Sequence, residues 1–472
     1  MAGGNKQSAS GESEGGSVTT ALANYFGFDE HGTDLRTEIV AGVTTFLAMS
    51  YIIVVNPAIL AGIPSEGKPG IVMQGYTPVE VQQMLTVVTI VSAVIGLLVM
   101  AFYANRPFGL APGLGLNAFF ALTVIGTIGV PWQTALAAVF TEGVIFILLT
   151  AVGARSYVIR LFPAPVKYAI GTGIGFYLAI IGLQAMEVVV ADPATLVTLG
   201  SVASNPVALL AVFGLFVTLA LYARGIRGSI VVGIVLTTVL GYLATVAGFV
   251  DPGVLFPSTL PSAQYDITPL IGAFLSGFAN VDAFVFSLIV FTFFFVDFFD
   301  ATGTLTGLSK KAGYLDDRGN MPRAKTTFSM DGLSSIFGSL MGTSTTGTYV
   351  ESASGIQDGG RTGITSVVTG GLFVAAMFLW PLTSAIPGSA TAPALILVGA
   401  MMMDGIRHID WDDISEGVPS FLTVITMPLT FSIADGVSIG VISYCVIQLF
   451  TGDGRKVSPV LYLVAALLDV DQ

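Results

Sequence analysis

Eleven predominantly apolar runs recur along this chain, at 39–60, 81–102, 135–152, 168–190, 207–222, 230–250, 284–308, 364–382, 392–403, 418–433 and 437–450. A helix needs about 20 apolar residues to cross hydrocarbon, and in lipid every backbone polar group must be paired within the spanning structure. A bundle of membrane-spanning helices is the architecture that this pattern permits. Composition agrees: 53% of the 472 residues are hydrophobic and 10% are charged, where ordinary soluble domains carry about a quarter charged residues. The 18 Lys and Arg are outnumbered by 30 Asp and Glu, so no basic face for nucleic acid is expected. The single cysteine, Cys445, lies inside an apolar run and reads as a packed core residue, with no intrachain disulfide to form.

Three further pieces, 113–128, 332–341 and 343–355, are too short or too polar to cross as plain helices. Including them gives an all-α polytopic protein of about fourteen transmembrane elements. Basic residues collect in cytoplasmic loops. With the N-terminus inside, Arg106, the Arg155/Arg160/Lys167 group, Arg224 and Arg227, the cluster at 310–325, Arg361, Arg407, and Arg455 with Lys456 all fall inside, while Lys68 falls outside. Losing one element would misplace every later loop. No cleavable leader precedes the first span, so the spans themselves are expected to target the chain.

The halves echo each other. Asn205-Pro206 leads into an apolar helix followed by Gly228-Ser-Ile-Val-Val-Gly-Ile234, and Pro419 leads into another followed by Gly436-Val-Ser-Ile-Gly-Val-Ile442. Seven elements per repeat would make the second copy enter from the opposite face, the inverted-repeat plan of secondary transporters. The expected organisation is a disordered cytoplasmic N-terminus (1–34), a first repeat (35–250), an extracellular loop (251–280), a second repeat (281–451) and a cytoplasmic or interfacial tail (452–472). Within that tail, 457–470 should lie along the membrane surface.

Two interrupted pieces occupy matching places in the halves, third and tenth in order. In the third, Pro107, Pro112 and the glycines of Gly113-Leu-Gly-Leu-Asn117-Ala-Phe-Phe120 predict an extended lead-in and then a short helix near Asn117. Helix N-termini bind carbonyl or anionic atoms, and the Asn117 amide both donates and accepts. Close helix packing is the competing reading of this Gly-rich stretch. In the tenth, a Thr/Ser-rich lead-in precedes Glu351, which the helix dipole would partly compensate. A carboxylate there can accept from two neighbouring N–H groups of a heterocycle, and its protonation would link binding to a proton gradient. The intervening apolar run carries Asp297 and Asp300, three apart and so on one helix face, where two carboxyl groups discourage each other's ionisation. That suits a proton carrier. The candidate substrate-binding set is Asn117, Asp297, Glu351 and the flanking Phe119 and Val350; the proton-coupling set is Asp297, Asp300 and Glu351.

Other signals point elsewhere. Glu142 is also a membrane carboxylate, yet Thr141 and Gly143 beside it suit helix packing or a subunit contact as readily as coupling. The Gly171-Thr-Gly-Ile-Gly175 run lies in a span, not after a strand, which argues against nucleotide binding. His31 and His408 flank membrane ends without metal-ligand spacing, and no Ser-His-Asp arrangement is visible, so neither a metal site nor an enzyme is expected.

At these motifs the sequence resembles the adenine/guanine/hypoxanthine permease family, a branch of the nucleobase/cation symporters that also holds uracil and xanthine permeases. The resemblance begins near Phe26 and rests on Tyr51-Ile-Ile-Val-Val-Asn-Pro-Ala-Ile-Leu60, Gly113 to Phe120, Val296-Asp-Phe-Phe-Asp-Ala-Thr-Gly-Thr-Leu305, and Thr348-Tyr-Val-Glu-Ser-Ala-Ser-Gly355 running on to Gly360-Arg-Thr-Gly363. It implies a seven-plus-seven inverted repeat with core and gate domains, a homodimer in the plasma membrane with both termini cytoplasmic, and symport of a purine nucleobase with a proton. No cofactor is expected beyond the gradient. It implies ligand contact at Asn117, Asp297 and Glu351, with Asp300 in support. Uracil permeases carry His where this chain has Ala301, which leaves coupling to carboxylates. An anion exchanger of the same fold is the alternative, and a basic residue at the tenth element would favour it.

Overall fold

The computed structural model describes residues 15–251, 253–255, 265–279, 281–316, 321–379, 385–452 and 454–469. In the first half the helices are α1 (Gly15–Phe26), α2 (Phe28–His31), α3 (Leu35–Met49), α4 (Ile52–Leu60), α5 (Pro78–Val99), α6 (Leu114–Ala118), α7 (Trp132–Ala151), α8 (Arg155–Leu161), α9 (Ala164–Ala185), α10 (Pro206–Ala223) and α11 (Ser229–Val246). In the second they are α12 (Ala283–Lys311), α13 (Ala324–Met341), α14 (Ser352–Gln357), α15 (Gly363–Met377), α16 (Gly388–Met401), α17 (Ile414–Thr430), α18 (Ile433–Phe450) and α19 (Pro459–Asp469). Among the described residues nine helical stretches are long and apolar enough to cross a membrane, Leu35–Leu60 counting as one, so this is a helical membrane protein.

Helix starts follow local chemistry. Thr77 and Glu80 close a reciprocal cap on α5, with Pro78 at the first helical position where a missing N–H is harmless. Asp282 accepts from the amides of Phe284 and Val285 at the head of α12, and Asn205 caps α10 in the same manner.

The helices pack in two groups. One joins α3 to α15, α5 to α13 and α15, and α7 to α12 and α13; the other joins α9 to α16 and α17, α10 to α11 and α16, and α17 to α18. Small residues let backbones in the second group approach: a methyl built on Gly175 of α9 would stand 2.5 Å from the Gly399 carbonyl oxygen of α16. The glycine run at 171–175 is therefore helix-packing surface.

Several boundaries differ from expectation. The N-terminal region is not uniformly disordered: α1 and α2 are helical, and Phe26 and Phe28 are buried against Ile364, because this stretch carries aromatic side chains to bury; residues 1–14 lie outside the described residues. The polar piece at 332–341 is the end of an eighteen-residue helix, α13. Its polarity hid its length. Thr327, Asp331, Ser334, Ser335 and Ser339 are buried against protein, so the helix needs no apolar face there. The run at 168–190 overreaches, since α9 stops at Ala185 and Val189–Asp192 forms β2, paired antiparallel with β3 (Leu196–Leu199). The expected run to 382 ends at Met377, with 380–384 outside the described residues. The tail forms α19 against α18, burying Leu461 and Ala465.

Candidate functional site

Two short extended segments cross inside the protein. Leu110–Pro112 (β1) pairs antiparallel with Thr346–Thr348 (β4), in the register Leu110 to Thr348, Ala111 to Gly347 and Pro112 to Thr346. The Gly113 amide donates to the Thr345 carbonyl at 3.0 Å and the Tyr349 amide to the Gly109 carbonyl at 2.8 Å, extending the ladder at both ends. Extended backbone at membrane depth needs such pairing, because neither lipid nor its own segment can satisfy it. Past the crossing, β1 leads into α6 and a π-helical continuation over Phe119–Thr127, while β4 leads into the six-residue α14. Both expected interruptions are present, and the first helix starts at Leu114, three residues before Asn117.

A cavity of about 1260 Å³ opens beside this crossing, between the two helix groups, with Lys167, Arg227, Asp300, Lys311 and Asp358 among its polar lining. A smaller recess of about 90 Å³ continues from it toward the crossing and is bounded by Tyr51, Asp297 and Glu351; Asp300 and Val350 line both. At the mouth, Arg227 from the α10–α11 turn pairs with Asp358 after α14, whose other oxygen accepts from the Thr44 hydroxyl at 2.6 Å.

The candidate residues divide sharply. Asp297 is 3% exposed, and its Oδ2 has no hydrogen-bond partner. Glu351 is 6% exposed and accepts from the Tyr51 hydroxyl at 2.6 Å through Oε1. Val350 is 44% exposed and faces the cavity, as does the exposed Asp300. Asn117 and Phe119 are fully buried and line neither cavity. The Asn117 Oδ1 accepts from the Ser344 hydroxyl in the other lead-in, and its amide nitrogen reaches the Pro112 carbonyl at 3.4 Å. Phe119 stands edge-on to Phe293 of α12, centroids 4.9 Å apart.

Three residues that sequence reasoning left aside or undervalued complete the surroundings. Tyr51 sits at the interruption between α3 and α4. Asp331, fully buried in α13, accepts from the Thr348 hydroxyl at 2.5 Å. Glu142 of α7, also fully buried, accepts from the Thr345 hydroxyl at 3.2 Å. Asp331 stands one residue before the polar piece at 332–341, so this acid in a Ser/Thr-rich helix falls just outside the element that the sequence predicts. Among the described residues no group of three His, Cys, Asp or Glu side chains is placed to hold a metal ion. Chemically the recess offers carboxyl acceptors and a partly apolar wall, which suits a small ligand with N–H donors.

Over residues 36–439 the chain matches the model of a permease family, described as Permease family, of the xanthine/uracil type. It is 43% identical to the putative permease MJ0326 of Methanocaldococcus jannaschii, covering 94% of this chain and 97% of that one. It is 39% identical to the adenine permease AdeP of Escherichia coli, over 94% of both chains. With the guanine/hypoxanthine permease PbuG of Bacillus subtilis it shares 38% identity, over 93% of this chain and 97% of that one. Among solved structures, the transmembrane domain of a cyanobacterial bicarbonate transporter, BicA, has a TM-score of 0.59 at 15% identity, covering 86% of this chain and 97% of that one. That likeness is one of fold.

Proposed function

The chain belongs to this xanthine/uracil-type permease family, transporters rather than enzymes, and from that membership we propose that it imports purine nucleobases such as adenine, guanine and hypoxanthine by proton symport. The observation that carries the reading is the pair of acids, Asp297 and Glu351, on a recess that opens into the cavity between the helix groups. A base entering edge-on presents ring N–H groups that these carboxyl oxygens accept, while Val350 packs on its apolar surface. Asn117 and Phe119 hold the crossing behind the ligand. Asp300, on the same helix face as Asp297 and open to the cavity, exchanges the coupling proton with water.

Fourteen elements in two inverted repeats, 35–250 and 281–451, form the working unit, flanked by the segments 1–34 and 452–472 and joined by an external loop at 251–280. The group built on α3, α5, α7 and α12–α15 acts as the core, and the group built on α9–α11 and α16–α18 as the gate. The core carries the site past the gate in alternating access. The protein works as a homodimer in the plasma membrane, with both termini cytoplasmic.

A basic residue at the crossing would favour an anion transporter of this fold. Here the crossing carries Glu351 and faces Asp297, which favours the nucleobase reading. The test is uptake of labelled hypoxanthine into cells or vesicles, competed with a panel of purines and with bicarbonate, with and without a protonophore. Accumulation that purines suppress and the protonophore abolishes supports the reading; competition by bicarbonate alone overturns it.

A further inference from the structure

Tyr51 belongs to a motif that the proposed mechanism does not use. It lies where the first span breaks between α3 and α4, is 1% exposed, and tilts its ring over Tyr349 with centroids 6.5 Å apart. Tyr349 in turn donates its hydroxyl to the Pro112 carbonyl in the opposite lead-in. The Tyr51 ring is thus held by the crossing and its hydroxyl is aimed at one atom, Glu351 Oε1, at 2.6 Å. Glu351 and Tyr51 both border the recess, so the phenol engages one carboxylate oxygen at the place where a ligand would meet it.

The consequence depends on ligand geometry. An unengaged carboxylate can accept two parallel N–H bonds, the fork arrangement that guanidinium groups use. A purine with an amino group beside a ring N–H, as guanine has at its 2-amino group and N1, presents that same fork. Hypoxanthine offers the single ring N–H on that edge. Resting on the nucleobase reading above, we propose that Tyr51 is a specificity-determining residue: by donating to Oε1 of Glu351 it takes up one acceptor position of that oxygen and fixes the rotation of the carboxylate, and so reduces the advantage that a 2-amino purine would otherwise gain from a fork.

The experiment compares wild type with Tyr51→Phe in uptake kinetics for hypoxanthine and guanine, normalised to the protein found in the membrane. The expected result is a KM ratio shifted toward guanine by about tenfold, the low end of what one hydrogen bond to a charged group is worth, with any loss common to both bases cancelling in the ratio. A structural role alone would lower Vmax or abundance and weaken both bases together. An unchanged ratio in Tyr51→Phe overturns the proposal. Should that variant fail to reach the membrane, the ratio is read in Tyr51→Met, which also removes the donor: a shift toward guanine supports the proposal and an unchanged ratio overturns it. Wild-type protein that takes up neither base removes the nucleobase reading itself, and this inference with it.

Discussion

The two crossing arms share a backbone plan and divide the chemistry. Each contributes a three-residue extended segment to the same antiparallel pair and then turns helical. The third-element arm continues as helix to Thr127 and keeps Asn117 and Phe119 fully buried. The tenth-element arm stops its helix at Gln357 and brings Val350 and Glu351 to the cavity. Its Ser/Thr-rich lead-in is tied into the protein, where Thr343 accepts from Asn56 at 3.2 Å, Ser344 donates to Asn117 and Thr345 to Glu142, while Thr345 and Thr348 also line the recess. Pseudo-symmetry of the backbone therefore does not extend to the side chains. One arm braces the crossing, and the other, with Asp297 from α12 facing it, supplies the acceptors.

Breaking the acceptor side should cost most. Asp297→Asn leaves the shape of the recess intact but removes a group that can cycle a proton, so uphill uptake on a pH gradient should disappear while some base binding and exchange survive. Binding by calorimetry alongside uptake in pH-clamped vesicles reads both. If that variant still concentrates purine while Glu351→Gln binds normally and cannot, the two acids have exchanged roles. Glu351→Gln comes next: it retains an acceptor oxygen but loses a charge-assisted bond worth about 1.5–3 kcal/mol, which corresponds to roughly ten- to a hundredfold in affinity.

These two acids were legible in sequence because carboxylates are costly in an apolar run and stand out against it. The interrupted elements were legible too, through Pro and Gly. What could not be read was which side chains turn inward to protein and which to the cavity. Asn117 and Ser344 are 227 residues apart in the chain, and Tyr51 and Glu351 are 300 apart. No local pattern encodes such a pairing. Asp331 is hard to read from sequence for a related reason: polarity predicts a short helix, whereas burial against α5 and α7 allows a polar helix to run its full length.

The bracing arm should respond differently. Asn117→Ala strands the buried Ser344 hydroxyl, and an unsatisfied buried polar group costs about 1–3 kcal/mol. The loss should appear first as a lower melting temperature of purified protein, with affinity reduced by less than about tenfold. Ser344→Ala should produce much the same change, and the double variant should cost less than the two singles summed, since partners in one hydrogen bond are not additive. A far larger loss of affinity at unchanged stability would mean that Asn117 reaches the ligand directly in another state of the transport cycle.

The smallest effect is expected where the arms can be made alike. Gly347 pairs with Ala111 across the crossing, so Gly347→Ala gives both arms a methyl at the paired position. Gly347 is not among the positive-φ residues, and the alanine backbone is therefore unstrained. The new methyl would lie 3.6 Å from Asp297 Oδ1 and 3.9 Å from Asp331 Oδ2, ordinary contact distances that demand no shift. Replacing glycine at a compatible site stabilises by about 0.4–1 kcal/mol through the unfolded chain, so the melting temperature should rise slightly while KM stays within about threefold. The position is nevertheless discriminating, because Gly347 lines the recess and the methyl would stand in the gap between two buried carboxyl groups. If transport falls more than about tenfold while calorimetric binding holds, that gap must stay open for water or a proton to pass between Asp297 and Asp331. The coupling route would then run through the acceptor arm itself, and Asp300 would no longer be its outlet.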